Sequence, residues 1–302
     1  VTSVSGHWKL GLLLALSTAT MWGVLPIALT GVMATLDPIT TTFFRFSLAA
    51  VLLTPYLILR RRLPNRRKLL SPKQLVMLLA AGLLLTSNYA LYILGLEKTT
   101  PEAAQVMIQL APMLLLLAGL WIFKEQFSKA QWLGFATFVS GLLLFFNHHL
   151  AELFISFNDY GVGLLMIIVA AVCWTGYAVI QKFLLMEFNS EETMLVFYWI
   201  GALAFLPFTD FTPLPELSSL QWGLLAFCGL NTLIAYGSFA EALVHMEASR
   251  VSAVIALTPL LTVAIVQLIP MQGIVAESLQ TISLIGALMV VCGSITTAVA
   301  KK

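Results

Sequence analysis

The 302-residue chain is 60% hydrophobic and only 10% charged, with a mean hydropathy of +0.95, whereas an ordinary globular domain carries about 25% charged residues. So little charge cannot coat a water-soluble surface, and the modest glycine, proline and cysteine content excludes collagen-like, disordered and disulfide-scaffold classes. Sixteen basic residues against fourteen acidic ones leave a net charge of +2, too even for a nucleic-acid-binding surface, and an integral membrane protein remains.

A helix needs about 20 residues to cross hydrocarbon about 30 Å thick. Ten apolar runs approach that length: 9–31, 39–59, 74–95, 102–122, 130–147, 161–182, 193–208, 219–241, 249–269 and 279–299. Strands of alternating polarity are not seen, so the spans are expected to be helices rather than staves of a barrel. The first run stays apolar too long for the core of a secretory signal and is read as a helix. The seventh is the shortest.

Along these spans the polar and aromatic residues stand out. Trp22 lies near the middle of the first. Arg45 is the basic residue well inside a span, about 10 Å from the outer end of the second; it needs a partner, and Glu102 near the outer end of the fourth span is the candidate, giving an outer-side ion pair or a carboxylate anchor, unless Arg45 snorkels outward and caps helices. The third span carries Asn88, Tyr89 and Tyr92. On the fourth, Glu102, Gln105, Gln109 and Pro112 follow helical spacing and form one stripe. Intramembrane amides facing lipid would leave donors and acceptors unpaired, so the stripe is expected to face inward, where substrate contact and interhelical hydrogen bonding explain it equally well.

The sixth span repeats the theme with Trp174, Tyr177 and Gln181 on one stripe. On the eighth, Asn231, Ser238, Glu241 and His245 run toward one membrane face, and Glu241 and His245 are candidates for a proton relay or ordinary residues at the membrane exit. The ninth carries Ser252, Ala256 and Pro259. Mid-span Pro112 and Pro259 each remove a hydrogen bond and crowd the carbonyl four residues earlier, that of Ile108 or Ile255. Kinks with exposed carbonyls, turned to protein or a wet cavity, are expected. Aromatic walls from Trp22, Tyr89, Tyr92, Trp174 and Tyr177 would suit small ligands with apolar or aromatic parts, or cations over ring faces. Trp8, Trp121, Trp132 and Trp222 fall near span ends, as headgroup belts do.

Lys and Arg sort by face. Fourteen of sixteen, including Arg60, Arg61, Arg62, Arg66, Arg67, Lys68 and Lys73, fall on one side, and Lys98 alone on the other; the bias makes both termini cytoplasmic. The halves also correspond: Tyr89 to Pro112 aligns without gaps to Tyr236 to Pro259 at an offset of 147, while Trp22 with Trp174, Glu125 with Glu277, Gly134 with Gly286 and Gly141 with Gly293 align at 152. Five spans per half is an odd number, so the second copy enters from the opposite side. The expected fold is therefore an all-α integral membrane protein of ten transmembrane helices, built as two inverted five-helix repeats over 1–147 and 160–302. Phosphate-binding loops, metal-ligand spacings and nucleophile motifs are absent, so an enzyme, a cofactor and a metal site are not expected. Cys173, Cys228 and Cys292 read as small apolar fillers.

Two five-helix halves with Trp in the first helix, Pro in the middle of the fourth, Glu shortly after it and Gly-x6-Gly in the fifth resemble the drug/metabolite transporter superfamily, and more narrowly its EamA-type ten-helix members. The resemblance lies in WGVLPIALT at 22–30, TTFFRFSLAAVLL at 41–53, KEQFSKAQWLGFATFVSGLLL at 124–144 and AESLQTISLIGALMVVCG at 276–293. It implies a secondary carrier in the bacterial inner membrane, an exporter of amino acids or related small metabolites. Such a carrier alternates access to a cavity bounded by spans one, three, four, six, eight and nine. Its partners would be a small-molecule solute and membrane lipid, not nucleic acid, with the oligomeric state open. The small four-helix relatives couple to protons through a Glu in their first helix, and span 9–31 holds no acid. Phe197 and Tyr198 occupy the region matching Arg45, so no second basic residue mirrors it. A structural membrane subunit without transport activity is the rival reading.

Overall fold

The computed structural model describes residues 7–64, 71–122, 128–147, 158–245, 251, 254–268 and 280–300. Among them there are helices and no strands. In chain order the helices are α1 (Trp8–Met33), α2 (Pro38–Leu59), α3 (Pro72–Glu97), α4 (Pro101–Met107), α5 (Leu110–Ile122), α6 (Lys129–Phe145), α7 (Asp159–Leu184), α8 (Ser190–Phe205), α9 (Ser219–His245), α10 (Thr258–Leu268) and α11 (Thr281–Val299). Six of these elements, α1, α2, α3, α7, α8 with its 3-10 extension to Phe208, and α9, are long and apolar enough to cross a membrane. The protein is thus a multi-pass membrane protein.

Side chains at the helix starts explain the boundaries. Asp37 accepts from the Ile39 and Thr40 amides at 2.9 Å each, ahead of Pro38 at the first helical position. Asn158 accepts from Gly161 N at 2.9 Å. Ser128 and Gln131 exchange hydrogen bonds as a capping box. Each satisfies amides that a helix start leaves unpaired. Lys98 Nζ donates to Asp159 Oδ1 at 2.9 Å, fastening the end of α3 to the start of α7.

The expected fourth span is two helices. Residues 108 and 109 form a turn between α4 and α5, and 256–257 form the matching turn before α10. Both breaks lie one turn upstream of the proline, where its missing N–H leaves a carbonyl and its ring crowds it. The freed carbonyls meet protein donors, one of the two surroundings expected for them. Ile108 O accepts from Ala111 N at 2.9 Å, a tightened 3-10 bond. Ile255 O accepts the Thr258 hydroxyl at 2.5 Å.

Helix packing follows the sequence correspondence. α3 packs on α7 and α1 on α9; α2 packs on both α8 and α9, and α3 also on α8; α5 packs on α7, α1 on α10, and α6 on α11. The α6–α11 pairing is a close glycine crossing. A Cβ at Gly293 would lie 2.6 Å from the Gly134 carbonyl oxygen, and one at Gly286 would lie 2.7 Å from that of Gly141. The offset of 152 exchanges these two glycine pairs. Polar links obey the same exchange: Asn88 Nδ2 donates to Ala170 O at 2.8 Å, and the Thr18 hydroxyl donates to Ala235 O at 3.2 Å, at positions related by the offsets.

Candidate functional site

Charge and aromatic rings converge where α2, α3, α8 and α9 meet. Arg45 sits on α2, two turns in from the Asp37 cap, and is 3% exposed. Its guanidinium lies over the Tyr89 ring of α3, 4.5 Å from the centroid. Its Nε donates to the Thr232 hydroxyl of α9 at 3.3 Å. Thr232 is itself fixed: its hydroxyl donates to Cys228 O at 3.1 Å, and its carbonyl accepts from the Tyr198 hydroxyl of α8 at 2.9 Å. A ring over a cation supplies attraction without an anion, so α2, α3, α8 and α9 are joined through one buried charge.

The expected Arg45–Glu102 pairing is not formed. Glu102, fully buried on α4, accepts instead from Gln267 Nε2 of α10 at 3.3 Å. The guanidinium makes no ion pair among the described residues. Spacing located both groups inside the protein but could not say which helix each would face.

Around Arg45 the rings form a connected group. Tyr89 packs on Phe46 with centroids 4.6 Å apart and faces Tyr236 of α9 at 6.2 Å; Phe46 meets Tyr198 at 6.2 Å; Trp22 of α1 lies edge-on to Tyr236 at 5.3 Å and near Phe239 at 5.8 Å. Tyr89 is the repeat counterpart of Tyr236, and Phe46 that of Tyr198. Corresponding positions therefore touch each other. The Tyr92 hydroxyl donates to Gln105 Oε1 of α4 at 3.3 Å, bringing the fourth-span stripe to the same group. Gln105 and Gln109 are buried, and Gln109 occupies the break between α4 and α5.

Other candidate residues lie elsewhere or serve packing. The Asn88 amide is used against α7, and Asn231 Nδ2 donates to Met21 O of α1 at 2.6 Å. Tyr177 donates to Met194 S at 3.5 Å and stacks edge-on with Phe197 and Trp174. Pro259 is buried and Pro112 half-buried. Glu241 and His245 pair at 3.4 Å at the end of α9, the Glu241 side chain 60% exposed. Ser252 lies outside the described residues. Trp8, Trp132 and Trp222 are exposed, in keeping with a headgroup belt. The sequence reading missed Phe46, Tyr198, Thr232 and Tyr236 as site residues. Applying the repeat offset to Tyr89 finds Tyr236; Phe46, Tyr198 and Thr232 carried no such signal.

The EamA-like transporter family model matches residues 9–147 and again 161–299. An uncharacterized transporter of Haemophilus influenzae is 38% identical over 297 residues, covering 97% of this chain and 96% of that protein. The uncharacterized inner membrane transporter YhbE of Escherichia coli is 36% identical over 296 residues, covering 97% and 92%. A crystal structure at 18% identity superposes with a TM-score of 0.66 over 95% of this chain and 96% of that one, which bears on the fold alone.

Proposed function

The chain belongs to the EamA-like transporter family, and from this premise we propose that it is a secondary carrier built from two inverted five-helix repeats, about 1–147 and 160–302, that alternate access to a site at their seam. The observation that carries the reading is the contact of Tyr89 with Tyr236 and of Phe46 with Tyr198. Positions exchanged by a two-fold can touch only on its axis, and for inverted repeats that axis lies in the membrane plane, where carriers of this architecture bind their solutes. The helices broken before Pro112 and Pro259 border the same region, as discontinuous helices do in such carriers.

The solutes are small organic metabolites such as amino acids, the direction is export, and the membrane is the bacterial inner membrane with both termini cytoplasmic; these follow from the family resemblance and from the Lys and Arg bias. The rival, a structural subunit, lacks a use for a buried charge at the seam.

Solute flux in proteoliposomes tests the proposal. Trp22→Ala and Gln109→Ala are expected to lower flux with near-normal expression. Folded protein that moves no member of a broad metabolite panel would leave the structural reading. For coupling, flux is compared with and without a pH gradient; pH dependence that survives Glu241→Gln removes Glu241 and His245 as a relay.

A further inference from the structure

We propose that Arg45 is the anion-binding residue of the carrier and that its solutes present a carboxylate to that guanidinium; this rests on the carrier reading above. A guanidinium has five N–H donors in a planar fork. Among the described residues only Nε has an acceptor, the Thr232 hydroxyl at 3.3 Å. Nη1 and Nη2 have neither a hydrogen bond nor an ion pair there. The Tyr89 ring covers one face of the cation, but a ring face takes no in-plane donors. A charge buried to 3% exposure with unused donors is costly unless something else completes it.

The chain does not lack carboxylates for its arginines. Arg62 is exposed and has Glu191 at 3.9 Å. Glu102 is buried, yet it is engaged with Gln267 of α10. The buried cation is the one left for an external anion, as intramembrane ionisable residues at a substrate path commonly are.

A carboxylate matches the site in shape and charge. Its two oxygens fit two parallel N–H groups of the fork, and its single charge equals the single cation, whereas a phosphate dianion would leave a buried negative charge uncompensated. Cationic solutes without a carboxylate are repelled. The apolar portion of the solute meets the rings of Trp22, Tyr89 and Tyr236. The counterpart of Arg45 is Phe197, fully buried and edge-on to Tyr177, so there is one anion site per chain rather than two.

The test measures thermal shift and proteoliposome flux on the full-length protein. Its probes are matched series: phenylacetate, phenylacetamide and phenethylamine, then L-leucine and L-leucinamide, then short aliphatic mono- and dicarboxylates with their amides. Carboxylates are expected to raise the melting temperature and to move, while the amides and amines of the same skeleton do so at least about tenfold more weakly. Arg45→Lys, which keeps the charge and loses the fork, is expected to weaken carboxylate binding about tenfold or more, and Arg45→Gln to abolish the preference over amides. If Arg45→Gln does not fold, Arg45→Lys and the solute series on the unaltered protein carry the test. Flux that treats carboxylates and amides alike, or carboxylate preference intact in the Arg45 variants, overturns the anion site and leaves the carrier standing. Arg45-dependent carboxylate binding without flux of any solute supports the anion site and removes the carrier. A panel in which no carboxylate binds or moves overturns the anion site, and one in which no solute of any class moves overturns the carrier as well.

Discussion

Threonine hydroxyls do much of the joining between helices in this protein. Thr175 of α7 donates to Ala111 O at 3.2 Å, Thr262 of α10 donates to Gly23 O at 2.7 Å, and Thr258 satisfies Ile255 O. Thr175 and Thr262 tie the two broken spans to α7 and α1, and Thr258 supplies the donor that Pro259 cannot give to Ile255 O. Polar links inside membranes average about 0.6 kcal/mol each, but a buried carbonyl left without a donor costs about 1–3 kcal/mol. Thr258→Val is therefore expected to destabilise by about 1 kcal/mol or more, and Thr258→Ser to restore most of it, as read from thermal unfolding in detergent. At this scale the sequence was least informative. Helical spacing correctly put Glu102, Gln105 and Gln109 inside, because one stripe of amides cannot face lipid. It could not choose between Glu102 and the Tyr89 ring as the neighbour of Arg45, since that depends on how α2 is rotated against α3 and α9.

Helix positions were much more legible, because an apolar run of spanning length has few alternatives in a bilayer. The expected span 161–182 is α7 at Asp159–Leu184, and 74–95 is α3 at Pro72–Glu97. The prolines announced breaks, but the break falls a turn earlier, where the chain relieves the clash with the carbonyl. The α6–α11 crossing is the most tightly specified contact between elements. At Gly141 a Cβ would lie 2.6 Å from Val290 N, and backbone cannot yield there as a flexible side chain can. Gly141→Leu is expected to cost more than the 1–3 kcal/mol usual for overpacking and to lower the yield of monodisperse protein. Gly223 of α9, with nothing within 4 Å of such a Cβ, provides the contrast: Gly223→Ala is expected to leave the melting temperature unchanged or raise it, helix propensity gaining about 0.5–1 kcal/mol.

Two global signals, the paired sequence offsets and the one-sided distribution of basic residues, carry the expected arrangement of the whole molecule. Both summarise many residues at once and so survive errors about any single side chain. They predict opposite sides for the α7–α8 connection at Met186 and the α8–α9 connection at Phe211, two exposed positions. With Cys173, Cys228 and Cys292 replaced by alanine, Phe211→Cys is expected to react with an impermeant maleimide in intact cells, and Met186→Cys only after permeabilisation. Reversed labelling would overturn the orientation of both termini.

Arg45 has Phe197 as its counterpart, so exchanging the halves does not regenerate the same molecule. In an assembly of two identical inverted copies the inward- and outward-open forms are isoenergetic; under the alternating access proposed above, a lone positive charge would ride with one half here, and the two resting forms are expected to differ in energy. A membrane voltage acts on such a charge with about 2.3 kcal/mol per 100 mV for a full crossing, scaled by the fraction of the field traversed. The return stroke of the empty carrier is thus expected to be electrogenic, and the stroke loaded with a monocarboxylate of net charge −1, which neutralises Arg45, electrically silent, whereas a zwitterionic amino acid leaves the loaded stroke at +1. Valinomycin-clamped vesicles distinguish the two: imposed potential changes net flux but not one-for-one exchange.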